Sequence, residues 1–304
     1  MNERLPPWRK NASEEREAGM RRTLIVINDM SGNSERADVN AIRFACAKND
    51  YVEELRLCSP DQDYDVTGFD KLIVCGGDGT INNAVNKCKE KNIDIFYFPF
   101  GTLNEKANTN SSEGIKKVER LKAMGMANRD LFSYVIAAGS FTEIGYSAAS
   151  SAKKRFKALA YVAKVLSAYK VFRMEAEVVT ERETYYGNYT LIMVIDSNRC
   201  FGFDFNKAYK PDDKYMYLLT IKSPKRNGLL GKVSMFFPFF RTFFMGFKKE
   251  YHSKRINFLP VRNVEVNLRE TQVFCVDGER REYDGFLHVE KLDIKPRLFI
   301  MRLL

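Results

Sequence analysis

KLIVCGGDGTINNAVNK, residues 71–87, sets an apolar strand, a glycine-rich turn and an amphipathic helix in immediate succession. In that order, backbone N–H groups and a helix N-terminus gather round a phosphate. Gly76, Gly77 and Gly79 permit close backbone approach. A P-loop would carry a lysine here; this loop has Asp78 instead. A carboxylate beside anionic phosphates repels them unless a cation lies between, so Asp78 implies Mg²⁺. A generic glycine pair closing a strand–helix corner needs no ligand at all, so the choice rests on what surrounds the corner.

Outward from it, short apolar runs alternate with helical stretches. TLIVIN starts at Thr23, the loop SGNSER follows, and a helix is expected over Val39 to Lys48. Strands are expected at Val52 to Cys58 and Ile93 to Phe98, with a helix after Thr80. This is α/β grammar, and residues 21–130 read as a nucleotide-binding domain with an open parallel sheet. From Asp130 onward, runs such as LFSYVIAAG, EAEVVTERETYYGNYTLIMVID and TQVFCVDG, rich in Val, Ile, Tyr, Phe and Thr, indicate a β-rich, sandwich-like domain over 131–296. Two helical stretches interrupt it, Ala152 to Phe172 and about Leu229 to Phe247, and residues 1–20 read as a flexible tail.

At 304 residues the chain exceeds one ordinary core, in keeping with two domains. The six cysteines form no CxxC pair and no signal peptide is evident, which fits a reducing cytoplasm. With only His252 and His288 present, a histidine metal site or histidine-driven triad is disfavoured, and acid–base work falls to carboxylates. The net charge of +10 is clustered: residues 221–256 hold nine Lys or Arg against Glu250 alone, and residues 151–173 hold seven with no acid. A nucleic-acid binder would explain the charge but none of the carboxylate motifs.

GGDGT after a third strand resembles the signature shared by diacylglycerol kinase-like, sphingosine kinase-like and NAD kinase proteins. Further segments extend the likeness over about residues 21–304. Asn28-Asp29-Met30-Ser31-Gly32 is similar to Asn-Pro-x-x-Gly, with Asp29 in place of proline. FPFGTLNEKAN, residues 98–108, resembles Pro-x-Gly-Thr-x-Asn-Asp-Phe-Ala; Pro99, Gly101, Thr102, Asn104 and Ala107 match, while Leu103, Glu105 and Lys106 depart. VFCVDGERREY, residues 273–283, resembles the Asp-Gly-Glu turn that the lipid kinases carry and NAD kinases lack, although by itself it also reads as a plain Asp-Gly hairpin. Asp130 stands where the family has an Ile-Asp linker, and Asn83 where it usually has glutamate. KPDDKY, residues 210–215, resembles a turn that binds a structural Mg²⁺ in bacterial members, which nominates Asp213 and Tyr215.

The resemblance implies a lipid kinase dependent on Mg²⁺ and ATP. Asn28, Ser31, Gly32, Gly76, Gly77, Gly79, Thr80, Gly101, Thr102 and Asn104 would hold ATP. Asp78 would act through Mg²⁺ and water, Glu279 would take the hydroxyl proton, and Asp130 would complete the carboxylate group. The active site is expected in the cleft between the domains, and the last strand, about 297–304, is expected to return to the first domain.

A lipid acceptor is also suggested by LLGKVSMFFPFFRTFFMGF, residues 229–247, with seven phenylalanines between 236 and 247 and flanking Lys225, Arg226, Lys248 and Lys249. Apolar positions 233, 236, 237, 240, 243, 244 and 247 fall on one helical face, whereas Lys232, Arg241 and Pro238 argue against a spanning helix. The expected partner is an anionic membrane surface met through 221–256 and also 151–173, which places a soluble cytoplasmic protein peripherally at the inner membrane face. Core packing of the phenylalanines is the competing reading, as are an NAD kinase or a non-catalytic nucleotide- or membrane-binding relative for the whole chain. A homodimer stays open.

Overall fold

The computed structural model describes residues 20–102, 104–108, 119–140, 172–200, 202–210, 214–226 and 228–301. The tail up to residue 19, Leu103, most of the basic stretch 151–173 and Asp213 lie outside the described residues. In chain order the first elements are β1 (Arg22–Asn28), α1 (Val39–Cys46), β2 (Tyr51–Leu57), β3 (Lys71–Gly76), α2 (Asp78–Cys88), β4 (Asp94–Pro99) and α3 (Glu105–Asn108). There follow β5 (Glu119–Ala127), β6 (Asp130–Phe132), β7 (Val135–Gly139), β8 (Met174–Thr180), β9 (Thr184–Ile195), β10 (Met216–Lys222) and α4 (Gly228–Phe240). The last are β11 (Tyr251–His252), β12 (Ile256–Val261), β13 (Asn263–Leu268), β14 (Gln272–Val276), β15 (Glu279–Tyr283) and β16 (Phe286–Ile300). They divide into two compact units: the described residues up to Gly101 with 119–121 and 295–301, and the remainder from Thr102 to Ile294.

In the first unit the strands lie in the order β2-β1-β3-β4, every pair parallel, and Arg297–Ile300 of β16 add a fifth parallel strand beside β4. β1 and β3 are apolar and buried almost throughout because a parallel sheet is covered on both faces. The residues of α2 buried at i, i+3, i+4 and i+7 (Ile81, Ala84, Val85, Cys88) form its inward stripe. Asp38 caps α1 by accepting the Ala41 N–H at 3.0 Å. Strand order reverses between β1 and β3: β2 follows on one side, β4 on the other. Loops leaving the carboxyl ends of two such strands diverge and open a crevice, the usual ligand position in open α/β sheets.

The second unit is the β-rich half. Its antiparallel path runs β11-β12-β10-β9-β8-β13-β16, and β7 joins β9 to the β14–β15 hairpin. β9 serves three neighbours, residues 184–189 pairing with β8 and 191–195 with β7 and β10. Side chains alternate across these strands. Ile136, Ala138, Ile192, Val194 and Leu218 enter one core with β8, β13 and β16; Val135, Ala137, Leu191, Met193 and Leu219 enter another with α4. The arrangement is sandwich-like, with a sheet buried on both faces.

α4 corrects the expected apolar face. Met235, Phe239, Phe243 and Phe247 are buried in the second core, whereas Leu230, Val233, Phe236 and Phe237 are exposed. Phe243 and Phe247 therefore do not share a face with Val233 and Phe237. The cause is partly the wider turn over Arg241–Met245, a π-helical segment that shifts the angular register. It closes at Gly246, whose N–H reaches the Arg241 carbonyl at 3.1 Å with φ of 67°. A Cβ there would lie 2.5 Å from the Phe205 carbonyl oxygen, so only glycine fits. Pro238 has no N–H for the Ser234 carbonyl four residues back; Arg255 Nη1 donates to it instead, at 2.6 Å.

Candidate active site

Three loops of the first unit are tied together at the carboxyl ends of its strands. Asn28 Nδ2, at the end of β1, donates to Thr80 Oγ1 at 2.8 Å, joining the first loop to the glycine corner. The carbonyl of Gly76 accepts from Phe100 N at 2.8 Å and Gly101 N at 3.1 Å, which draws in the loop after β4. Asn33 completes the set, its N–H donating to the Phe100 carbonyl at 2.9 Å and its Nδ2 to the Gly101 carbonyl at 2.9 Å. Sequence reading did not single out Asn33; a lone asparagine in a Ser/Gly/Asn loop is ordinary turn chemistry. Asp29, in the proline position, pairs with Arg56 at 2.9 Å. Ser31 is half-buried, Gly32 exposed, and Asn83 exposed on α2.

The corner has the form of a cradle. A Cβ on Gly77 would come within 3.3 Å of Gly101 Cα, and one on Gly76 would meet the Thr80 side chain at 2.5 Å. α2 starts at Asp78 behind Gly77 with no side-chain cap. The first-turn N–H groups of a helix lack intrahelical partners, and the macrodipole favours an anion there. Uncapped helix start, glycine backbone and a hard-oxygen carboxylate at the first helical position fit a phosphate chain with Mg²⁺, an ion that takes one or two carboxylates and completes its shell from phosphate and water. Among the described residues no group of three or more His, Cys, Asp or Glu could hold a metal without such help.

In the second unit the Asp-Gly-Glu segment is a tight hairpin between β14 and β15, with φ of 50° at Asp277 and 93° at Gly278. The buried Asp277 carboxylate accepts backbone N–H groups from Tyr134 at 2.9 Å, Val135 at 3.1 Å and Ser133. This divides the apolar run after Asp130 into β6 and β7: a strand cannot stay regular where three successive N–H groups turn to one carboxylate. Burial pushes the Asp277 carboxyl up, against the pull of those N–H donors. The hairpin leaves Glu279 exposed at the start of β15, its Oε2 accepting from Arg281 Nη2 at 3.0 Å.

Asp277→Ala is expected to cost about 3 kcal/mol or more, since orphaning a buried N–H costs roughly 1–3 kcal/mol and three lose their acceptor. Asp277→Asn, which keeps an acceptor oxygen, is expected to restore much of that. Urea unfolding of both variants checks it; equal losses would show that the backbone acceptance is not what holds the turn.

Thr102 is exposed, Gly101 buried, and Asn104 adopts φ of 49° just before α3. Glu105, a departure from the family motif, is fully buried, accepting from Gly202 N at 2.6 Å and lying 2.7 Å from Arg199 Nε. Burial is the main influence on its carboxyl and pushes it up despite Arg199. Sequence reading missed Arg199; its flanks, Asn198 and Cys200, carry no signal. A second buried pair, Lys291 with Asp196 at 2.6 Å, was equally silent. Asp130 is exposed at the head of β6, and the Tyr283 hydroxyl is pushed up to about 12, mainly by burial and then by Asp130. Tyr215 lies under the Arg262 guanidinium, 5.2 Å from the ring centre; its proposed co-ligand Asp213 is outside the described residues.

Residues 22–132 match the family model of the diacylglycerol kinase catalytic domain. That span contains the three tied loops and Asp130, and excludes Glu279. A diacylglycerol kinase of Bacillus subtilis is 25% identical over 250 residues, covering 77% of this chain and 78% of that protein. One from Staphylococcus carnosus is 26% identical over 245 residues, 76% of each. A crystal structure of a diacylglycerol kinase from Bacillus anthracis superposes with a TM-score of 0.59 at 18% identity, over 91% of this chain and 96% of that one. At that identity the likeness speaks to the fold.

Proposed function

We propose, from the match of residues 22–132 to the diacylglycerol kinase catalytic domain and the likeness to the Bacillus subtilis diacylglycerol kinase, that this chain is a lipid kinase of that family and transfers the γ-phosphate of ATP to a hydroxyl of a lipid of the diacylglycerol class. The observation that carries the reading is the corner Gly76–Thr80, where an uncapped helix start and a tight glycine backbone meet a carboxylate rather than a lysine. Asn28, Ser31, Gly32, Gly76, Gly77, Gly79, Thr80, Gly101, Thr102 and Asn104 hold the nucleotide. Asp78 would hold Mg²⁺, which would offset charge on the phosphate oxygens. Glu279 accepts the proton of the attacking hydroxyl as its oxygen bonds to phosphorus and the bond to ADP breaks. Asp130 is the supporting carboxylate. Asp213 and Tyr215 are proposed for a structural Mg²⁺. No helix among the described residues is long and apolar enough to cross a membrane.

The test is transfer of labelled γ-phosphate from Mg-ATP to dioctanoylglycerol and to a total lipid extract in mixed micelles, with NAD as a parallel acceptor. Labelled lipid is the expected product. Labelled NADP would put an NAD kinase in its place, and no transfer to any acceptor would leave a non-catalytic binder.

A further inference from the structure

α4 is mainly apolar, with Lys232 and Ser234 its only polar side chains, and Arg241 and Thr242 follow in the π-turn. A helix of that kind belongs in a core or in a lipid phase. One face is accounted for: Met235, Phe239 and Phe243 pack against Phe205, Leu219 and Ile256 in the second core. Among the described residues the opposite face is left exposed, Val233 by 63% and Phe237 by 62%, with Leu230 and Phe236 also outward. It is an ordered surface. Phe236, Phe240 and Phe244 recur every four residues, their rings stacked at 5.8 Å and 5.5 Å.

Charge brackets this face at both ends. Lys225 and Arg226 are exposed before α4, and Lys248 and Lys249 are exposed just after Phe247. Lys254 is also exposed, whereas Arg241 and Arg255 are engaged with the protein. Arg241 lies over Phe247 and Tyr251 at 4.5 Å and 4.6 Å, and Arg255 holds the Ser234 carbonyl. The one acid, Glu250, pairs with Arg182 and His252. An aromatic strip flanked by solvated cations matches the two layers of an anionic bilayer surface, acyl boundary and headgroups.

We infer that the Leu230–Phe237 face of α4 docks onto anionic phospholipid, with Lys225, Arg226, Lys248 and Lys249 on the headgroups and Val233, Phe236 and Phe237 at the acyl boundary. The inference rests on the lipid-kinase reading only for what the docking serves, which is delivery of the enzyme to a membrane-borne acceptor.

Sedimentation of the full chain with vesicles of phosphatidylglycerol and phosphatidylcholine in equal parts, against pure phosphatidylcholine, tests it. Binding is expected to the anionic vesicles and to weaken with salt. Val233→Asp with Phe237→Asp should lower partitioning by about tenfold or more. Lys248→Gln and Lys249→Gln should each lower it about fivefold, on anionic vesicles alone. An unchanged thermal melt and unchanged turnover on dispersed dioctanoylglycerol keep these variants interpretable. Binding that ignores the Val233 and Phe237 substitutions would overturn the inference, as would absence of binding. A dimer broken by the same substitutions would also overturn it, since a second copy would then cover the face. Vesicle binding needs no turnover and turnover on dispersed substrate needs no vesicle, so failure of docking and failure of the kinase reading are seen separately.

Discussion

Glu279→Gln is expected to lower turnover by about 10²–10⁴-fold while ATP affinity stays where it was, the range over which a positioned general base contributes. The substitution is nearly isosteric and keeps an oxygen for Arg281, now 3.0 Å away, but that oxygen cannot retain a proton. The hairpin does not depend on it. Asp277 and Gly278 set the turn through their left-handed backbone, and the buried acceptor is Asp277, so folding should be untouched. The exposed pair with Arg281 contributes little to stability. Steady-state kinetics with a nucleotide-binding isotherm on the same sample decides the matter. Normal turnover in the Gln variant would move the base elsewhere, and weakened ATP binding would make Glu279 a nucleotide contact.

Asp78→Asn separates the two halves of the metal argument. A carboxylate about 4 Å from a phosphate charge is repelled by about 4 kcal/mol at the effective dielectric of a protein surface. With the charge gone, metal-free ATP should bind up to about 10³-fold more tightly, and the Mg²⁺ dependence of binding should flatten. Turnover should nonetheless fall by about 10³-fold, because the position that held the cation against the phosphates is lost. The helix start loses a favourable charge at its positive end, about 0.3–1 kcal/mol, too little to unfold the unit. Calorimetric titration with and without Mg²⁺ reads the first effect and the transfer assay the second. If the Mg²⁺ dependence survived in the Asn variant, Asp78 would not be the metal's anchor.

The α/β half was legible because parallel strands buried on both faces write themselves as unbroken apolar runs and because a glycine corner between strand and helix has few other uses. The Asp-Gly hairpin was legible for a similar local reason: two left-handed residues in succession need that dipeptide or one like it. What stayed hidden depends on distant partners. Nothing around Asp277 announces that its carboxylate will gather N–H groups from Ser133 to Val135. Glu105 looked like a flawed motif residue, and only the fold reveals Arg199 and Gly202 against it. Along α4 periodicity chose the wrong face, since Lys232 and Ser234 are the only polar side chains among its apolar ones and offer little contrast, and the π-turn then breaks the angle that the choice assumes.

β16 has a bearing on how the protein is made. Its first residues complete the antiparallel path beside β13, and its last four are the edge partner of β4. A ribosome therefore releases the whole β-rich unit before the nucleotide-binding sheet can receive its fifth strand. Until then β4 presents an open parallel edge, the kind of template that recruits strands from other chains. The N-terminal unit, although synthesised first, closes its sheet last.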